Sequence, residues 1–288
     1  MVNLIRIRKY WYIFSLLIII PGMVSLYKWG LNYGIDFTGG SLVEVRFDQA
    51  VKIEDIRNLL GDLGLGKDSQ IQTSGGNTVL IRTRDLSQEE SDKLLNGLSQ
   101  KIGSMKLLRN EKVGPTIGKE LRQKAILSVL IAFALMLVYI AIRFEFLQGV
   151  AAILALVHDI LVTVGLVSIF RIEVDSAFIA ALLTIVGYSI HDTIVIFDRI
   201  RENLRMRKKD QPLDELIHHS IMQTLTRSIN TVLTVVFCLV ALIVIGGVTI
   251  RPFMITLLIG VISGAYSSIF NASPLWYDFR RLKEVSAR

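Results

Sequence analysis

The sequence predicts a polytopic α-helical membrane protein: six transmembrane helices, with one outward-facing α+β domain of ferredoxin-like type between spans one and two. Three observations lead there. Apolar residues make up 52% of the chain and charged residues only 20%, against about 25% in an ordinary soluble domain. Six apolar runs, near residues 11–27, 125–142, 150–170, 177–197, 229–245 and 253–270, approach or reach the ~17–25 residues that span a bilayer. The net charge of +7 is unevenly placed: residues 31–123 hold thirteen Lys/Arg and thirteen Asp/Glu, so the whole excess lies among the hydrophobic runs.

That charge distribution argues against a nucleic-acid binder, which would gather basic residues on a soluble face. The apolar content excludes intrinsic disorder. The single cysteine, Cys238, cannot form a disulfide within the chain and makes a cysteine metal site not credible. No P-loop, dinucleotide fingerprint, metal-ligand cluster or nucleophile elbow appears. The expectation is therefore a membrane protein without covalent catalysis, cofactor or metal.

Taken in order, residues 1–30 are a basic N-terminus (Arg6, Arg8, Lys9) and an uncleaved anchor helix, with a kink expected at Pro21-Gly22. Residues 31–123 form the outward domain. Val43, Val45 and Phe47 alternate with Glu44 and Arg46, the pattern of a half-buried strand. Ile53, Ile56, Leu60 and Leu63 share one helical face, and a hairpin follows around Gly75-Gly76-Asn77. Ser87 and Glu90 read as a capping box for a second helix, and residues 105–113 close the domain as a strand. The order β-α-β-β-α-β is ferredoxin-like. Residues 124–275 hold five spans, with a cytoplasmic amphipathic segment at about 199–226 read as a helix on the membrane surface. His218-His219 lies on it as part of a solvated face. Residues 276–288 form a basic tail. The basic flanks at Arg199–Lys209, at the N-terminus and at the tail (Arg280, Arg281, Lys283, Arg288) place both termini in the cytoplasm and residues 31–123 outside.

Charges inside a membrane are costly and mark function. Asp192 lies two-thirds along the fourth span, and Thr184, Tyr188, His191 and Asp192 share one stripe at i, i+4, i+7 and i+8. Such a stripe can carry water and protons. Asp159, after His158 in the third span, fits either a proton relay or helix-locking hydrogen bonds. Arg227 opens the fifth span, where it either snorkels to the interface or partners a membrane carboxylate. Gly260, Gly264 and Ser268 form a small-residue stripe for close helix packing, with Ser263, Ser267 and Asn271 beside it.

Several motifs run in order along the chain: Gly34-Ile35-Asp36-Phe37-Thr38-Gly39-Gly40, Val113-Gly114-Pro115-Thr116-Ile117-Gly118, Gly187-Tyr188-Ser189-Ile190-His191-Asp192, Phe197-Asp198-Arg199-Ile200-Arg201-Glu202-Asn203 and Arg227-Ser228-Ile229-Asn230. Together they resemble the SecD/SecF protein-export family, on its SecF side, over nearly the whole chain. The resemblance implies half of a resistance–nodulation–division-type scaffold in the bacterial inner membrane. It implies partnership with SecD, the SecYEG channel and YajC, and use of the proton-motive force to promote export of an unfolded polypeptide. It also assigns proton passage to Asp192 and Arg227. Asp36, Gly39, Gly40, Gly114, Pro115, Gly187, Asp198, Arg201 and Asn230 stand as family-motif positions. One departure is His191, where the family usually has Asn; a histidine titrates near neutral pH, but the reading adopted is a hydrogen-bond donor like Asn. Two alternatives remain: a half-transporter for a small molecule or lipid, and a membrane scaffold whose buried charges only lock helices.

Overall fold

Long uninterrupted apolar stretches leave the backbone no partner in a membrane except itself, so they form helices. The computed structural model describes residues 3–66, 69–74, 76–208 and 210–286. Gly75 of the expected hairpin turn and Lys209 and Arg288 of the basic flanks lie outside the described residues. The chain divides into two units, Tyr33–Leu127 and the remainder.

The smaller unit holds a helical turn α2 (Ile35–Thr38), β2 (Gly40–Phe47), α3 (Ile53–Asp62), β3 (Gln70–Ser74), β4 (Thr78–Thr83), α4 (Gln88–Gly97) and β5 (Met105–Val113); α1 (Arg8–Trp29) and β1 (Asn32–Tyr33) precede α2 in the chain. The sheet order β3-β4-β2-β5, antiparallel throughout, is the ferredoxin-like arrangement expected from the element order. Val43, Val45 and Phe47 point into a core with Ile56, Leu60, Val79, Ile81, Leu94 and Leu98. The Ser87–Glu90 capping box is present, with both reciprocal hydrogen bonds. Gly40 cannot carry a side chain: its φ is +132°, and a Cβ there would lie 2.5 Å from the Thr83 carbonyl oxygen on the neighbouring strand. Gly118 is also close-packed, with a Cβ placed 3.1 Å from the Gly39 nitrogen. Gly40 is thus a packing requirement as well as a turn residue.

Among the described residues six helices are long and apolar enough to cross a membrane, and the protein is a multi-pass membrane protein. They are α1 (Arg8–Trp29), α5 (Pro115–Arg143), α6 (Phe146–Ile169), α7 (Ser176–Arg205), α8 (Leu213–Ile245) and α9 (Arg251–Ser267), the last continued by a π-turn (Ser268–Ala272) into α10 (Ser273–Ser286); a two-residue strand β6 (Glu173–Val174) precedes α7. Pro115 opens α5 at the position where a missing N–H costs nothing.

One segment differs from expectation. The amphipathic stretch before the fifth span is not a separate surface helix. No Gly or Pro interrupts 213–245, so α8 runs unbroken, and Leu216, Ile217 and Ile221 bury into the same cluster as Phe197 and Trp276. The basic tail carries α10 as far as Ser286, with Trp276 fully buried and Asp278 paired with Arg8 at 2.8 Å. Arg6 likewise pairs with Asp214 at 2.8 Å.

Candidate functional site

The glycine stripe explains how the polar centre is assembled. A Cβ at Gly260 would fall 2.2 Å from Ile185, and one at Gly264 would fall 2.9 Å from the Ser189 Cβ, so α9 lies directly on α7. Ser268 continues the stripe and shares a 2.8 Å hydrogen bond with Thr193. A second such approach joins Gly22 of α1 to Gly165 of α6, beside a 2.9 Å Ser25–Ser168 hydrogen bond. Close backbones bring the short serine hydroxyls of α9 within reach of α6.

Asp159 sits at the convergence and is fully buried. Its Oδ1 accepts from Ser263 Oγ at 2.8 Å and lies 3.0 Å from His158 Nδ1. Its Oδ2 accepts from Ser189 Oγ at 2.6 Å and Ser267 Oγ at 2.7 Å. Three helices are tied to one carboxyl group. The sequence flagged Asp159 and the Ser263/Ser267 stripe separately; it carried no signal that Ser189 would join them.

Asp192 is buried one turn beyond Ser189 on α7, but its surroundings differ. Ser228 on α8 donates to Oδ1 at 2.9 Å, while the buried Oδ2 has no hydrogen-bond partner among the described residues. The Tyr188 hydroxyl is likewise buried and unpartnered. A buried polar atom without a partner costs about 1–3 kcal/mol, so such atoms call for a functional or structural reason.

The expected stripe is divided by the packing. Asp192 faces inward, whereas Thr184 and His191 are exposed on the bundle surface. Thr184 spends its hydroxyl on the Ala180 carbonyl at 2.8 Å. His191 lines a cavity of about 450 Å³ between α5 and α7 together with Gly187, Met136 and Tyr139. Arg227 and Asn230 are exposed on α8, and Arg227 lines a groove of about 360 Å³ with Asp198, Glu202 and Gln223. No ion pair joins Arg227 to Asp192 among the described residues; the contact to Asp192 comes from the next residue, Ser228.

The remaining motif residues fasten helices. Asp198 accepts from Arg143 at the end of α5 at 2.6 Å and from Arg201 at 3.0 Å. Asn203 donates to Ser220 at 2.8 Å and to Gln223 at 2.9 Å, joining α7 to α8. Asp36 lies in α2 and Gly114 precedes α5; a Cβ at Gly114 or Gly187 would meet open space. Among the described residues no group of three or more His, Cys, Asp or Glu could hold a metal ion.

Residues 94–282 match the family described as "Protein export membrane protein SecD/SecF, C-terminal", and residues 25–51 match the "SecD/SecF GG Motif". Protein translocase subunit SecF of Sebaldella termitidis is 42% identical over 286 residues, covering 98% of this chain and 93% of that protein. Protein translocase subunit SecDF of Bacillus subtilis is 39% identical, covering 98% of this chain and 39% of that longer protein. The crystal structure of SecDF from Thermus thermophilus, described as a translocon-associated membrane protein, superposes with a TM-score of 0.89 at 37% identity, over 97% of this chain and 39% of that one. A second SecDF structure, in a super-membrane-facing form, gives a TM-score of 0.71. The chain therefore spans about two-fifths of the SecDF chains and nearly the full length of the SecF relatives. With a family match over residues 94–282 and a relative 42% identical across 98% of this chain, it belongs to the SecD/SecF family of protein-export membrane proteins.

Proposed function

We propose that this chain is the SecF-type subunit of a Sec protein translocase and that, with a SecD partner, it uses the proton-motive force to promote protein export across the cytoplasmic membrane. The observation that carries the reading is Asp192: a carboxyl buried in a membrane helix, bonded on one oxygen and open on the other. A fully satisfied carboxyl resists change, whereas a half-satisfied one can gain or lose a proton without dismantling its site. In this reading Arg227, His191 and Tyr188 are the charged and hydroxyl groups of the relay, while Thr184, bonded to the Ala180 carbonyl, lies on the exposed side of α7.

In this reading both termini are cytoplasmic and residues 31–123 are outside, as the basic flanks require. Protonation of Asp192 removes the anion that accepts from Ser228 and so alters the α7–α8 contact. A two-state shift in helix packing then biases the position of the outward unit, which holds or pulls the emerging unfolded polypeptide. SecD, the SecYEG channel and YajC are the partners; the SecDF relatives, in which one chain bears both names, support the first. The step needs no covalent catalysis, cofactor or metal.

The test is proton uptake and protein export in vesicles holding the assembled complex with Asp192→Asn. Loss of both, with the complex still co-purifying with its SecD-type partner, is the expected result. Unimpaired proton flux and export would refute coupling and leave a scaffold whose charges lock helices. Retained proton flux with no effect of an exported polypeptide would favour a small-molecule or lipid transporter.

A further inference from the structure

The relay just described leaves the buried imidazole of His158 unused. His158 is nine-tenths buried in α6, and its Nε2 has no hydrogen-bond partner among the described residues. Its other nitrogen, Nδ1, lies 3.0 Å from Asp159 Oδ1.

The lone pairs of Asp159 decide which of the two residues can move a proton. An ionised carboxylate offers about four acceptor positions. Here Ser189, Ser263, Ser267 and His158 occupy two on each oxygen, at 2.6, 2.8, 2.7 and 3.0 Å. A proton added to Asp159 would remove one acceptor position and create a donor facing three hydroxyls already turned inward. At least one inter-helix bond would have to reverse. The four contacts thus suit the carboxylate form of Asp159. To serve as the fourth donor, His158 must carry its hydrogen on Nδ1, which leaves the Nε2 lone pair as the acceptor at this centre.

We propose that His158 is a second proton-holding residue of the translocation cycle, with Asp159 as its positioning residue. A proton adds to the Nε2 lone pair of the neutral imidazole and gives the imidazolium, while the Nδ1–H stays on Asp159 Oδ1. Release reverses the step, and no other bond breaks. The imidazolium neutralises an anion that otherwise stands alone in the membrane interior, a large electrostatic change at low dielectric. That change falls on the three-helix junction of α6, α7 and α9, and Ser189 passes it to the turn that carries Asp192. The titratable groups facing His158 are Asp159 on its own helix and Tyr266 on α9, whose ring centroid is 5.9 Å away. From α1, the Trp11 carbonyl and the Ser15 hydroxyl reach the site through the Tyr266 hydroxyl, at 2.8 and 3.3 Å.

This inference rests on the proton-coupled reading above, and the experiment separates the two. His158→Asn keeps a side-chain N–H at the Nδ1 position, so the bond to Asp159 survives while the Nε2 site is lost. In the assembled complex, this variant should bind about one proton fewer per chain over a full acid titration and lose the matching step in export. Asp192→Asn is measured in parallel. If Asp192→Asn loses coupling while His158→Asn titrates and exports as the parent does, the His158 proposal falls and the functional reading stands. If neither variant changes anything, both fall. Should His158→Asn not assemble, nitrogen NMR of the unmodified complex decides, since the chain has only four histidines. A buried imidazole that keeps its Nδ1–H while Nε2 shifts with pH supports the proposal, and an Nε2 resonance flat over the same titration overturns it.

Discussion

Replacing Gly264 by Ala tests the helix junction directly. The new Cβ would stand 2.9 Å from the Ser189 Cβ and 3.2 Å from the Ser189 Cα. Ordinary carbon contacts lie near ~3.5–4.0 Å, so α9 must withdraw from α7 by roughly 0.6–1 Å. The obstacle is backbone and Cβ, which no rotamer change can remove. Ser263 and Ser267 ride on α9 and reach Asp159 at 2.8 and 2.7 Å. A shift of that size carries both bonds to the edge of useful geometry. Overpacking costs ~1–3 kcal/mol, and weakening two hydrogen bonds to a charged group adds up to ~1.5–3 kcal/mol each. Against this, Ala gains ~1 kcal/mol of helix propensity over Gly. The clash wins, leaving a net loss of ~3 kcal/mol, or a fall in Tm of roughly 6–12 °C at ~2–4 °C per kcal/mol. The assay is thermal unfolding of the purified chain in detergent, with Gly187→Ala as the matched control. A Cβ at Gly187 meets nothing within 4 Å, so that variant should hold or gain stability. A Gly264→Ala chain as stable as the parent, or equal shifts in both variants, would refute the argument.

Two further outcomes concern the small unit. Gly40→Ala forces a side chain into φ +132° and to 2.5 Å from the Thr83 carbonyl, and should cost about 2–3 kcal/mol, read as faster amide exchange across β2 and β4. Arg84 and the Ser87 backbone hold the Glu90 carboxyl down at about 2, from an ordinary 4.5. A depressed carboxyl stabilises fully above the unfolded value and loses that contribution as pH falls through the folded one. Protection at the start of α4 should therefore decline from about pH 4.5 towards 2, and Glu90→Gln should flatten the decline; an unchanged slope in the variant would contradict the capping account.

Much of the architecture was legible because it follows from local rules. The alternation of Val43, Val45 and Phe47, the Ser87–Glu90 box and the apolar runs each encode an element within a few residues of itself. The site was legible in part. Asp159 and Asp192 stood out as charges in apolar helices, and the Gly260/Gly264 stripe marked a close packing face. The roles of the two carboxyls were not legible, because each depends on which hydroxyls arrive from other helices. That the segment before the fifth span is continuous with α8 was not legible for the same kind of reason: its amphipathic face suits a membrane interface as well as the bundle core, and periodicity alone does not choose.

By itself, then, the sequence determined six spans, an α+β unit inserted after the first, the charge asymmetry and the presence of two intramembrane carboxyl groups. Those properties depend on spacing and composition along one strand of chain. Only the tertiary structure decided that Asp159 gathers three serine hydroxyls and the His158 Nδ1 while Asp192 keeps a free oxygen, that Arg227 and His191 face outward, and that Arg6 and Arg8 are paired with α8 and α10. Hydrogen-bond saturation is a property of several helices meeting at one point. It exists only once the glycines have let those helices approach.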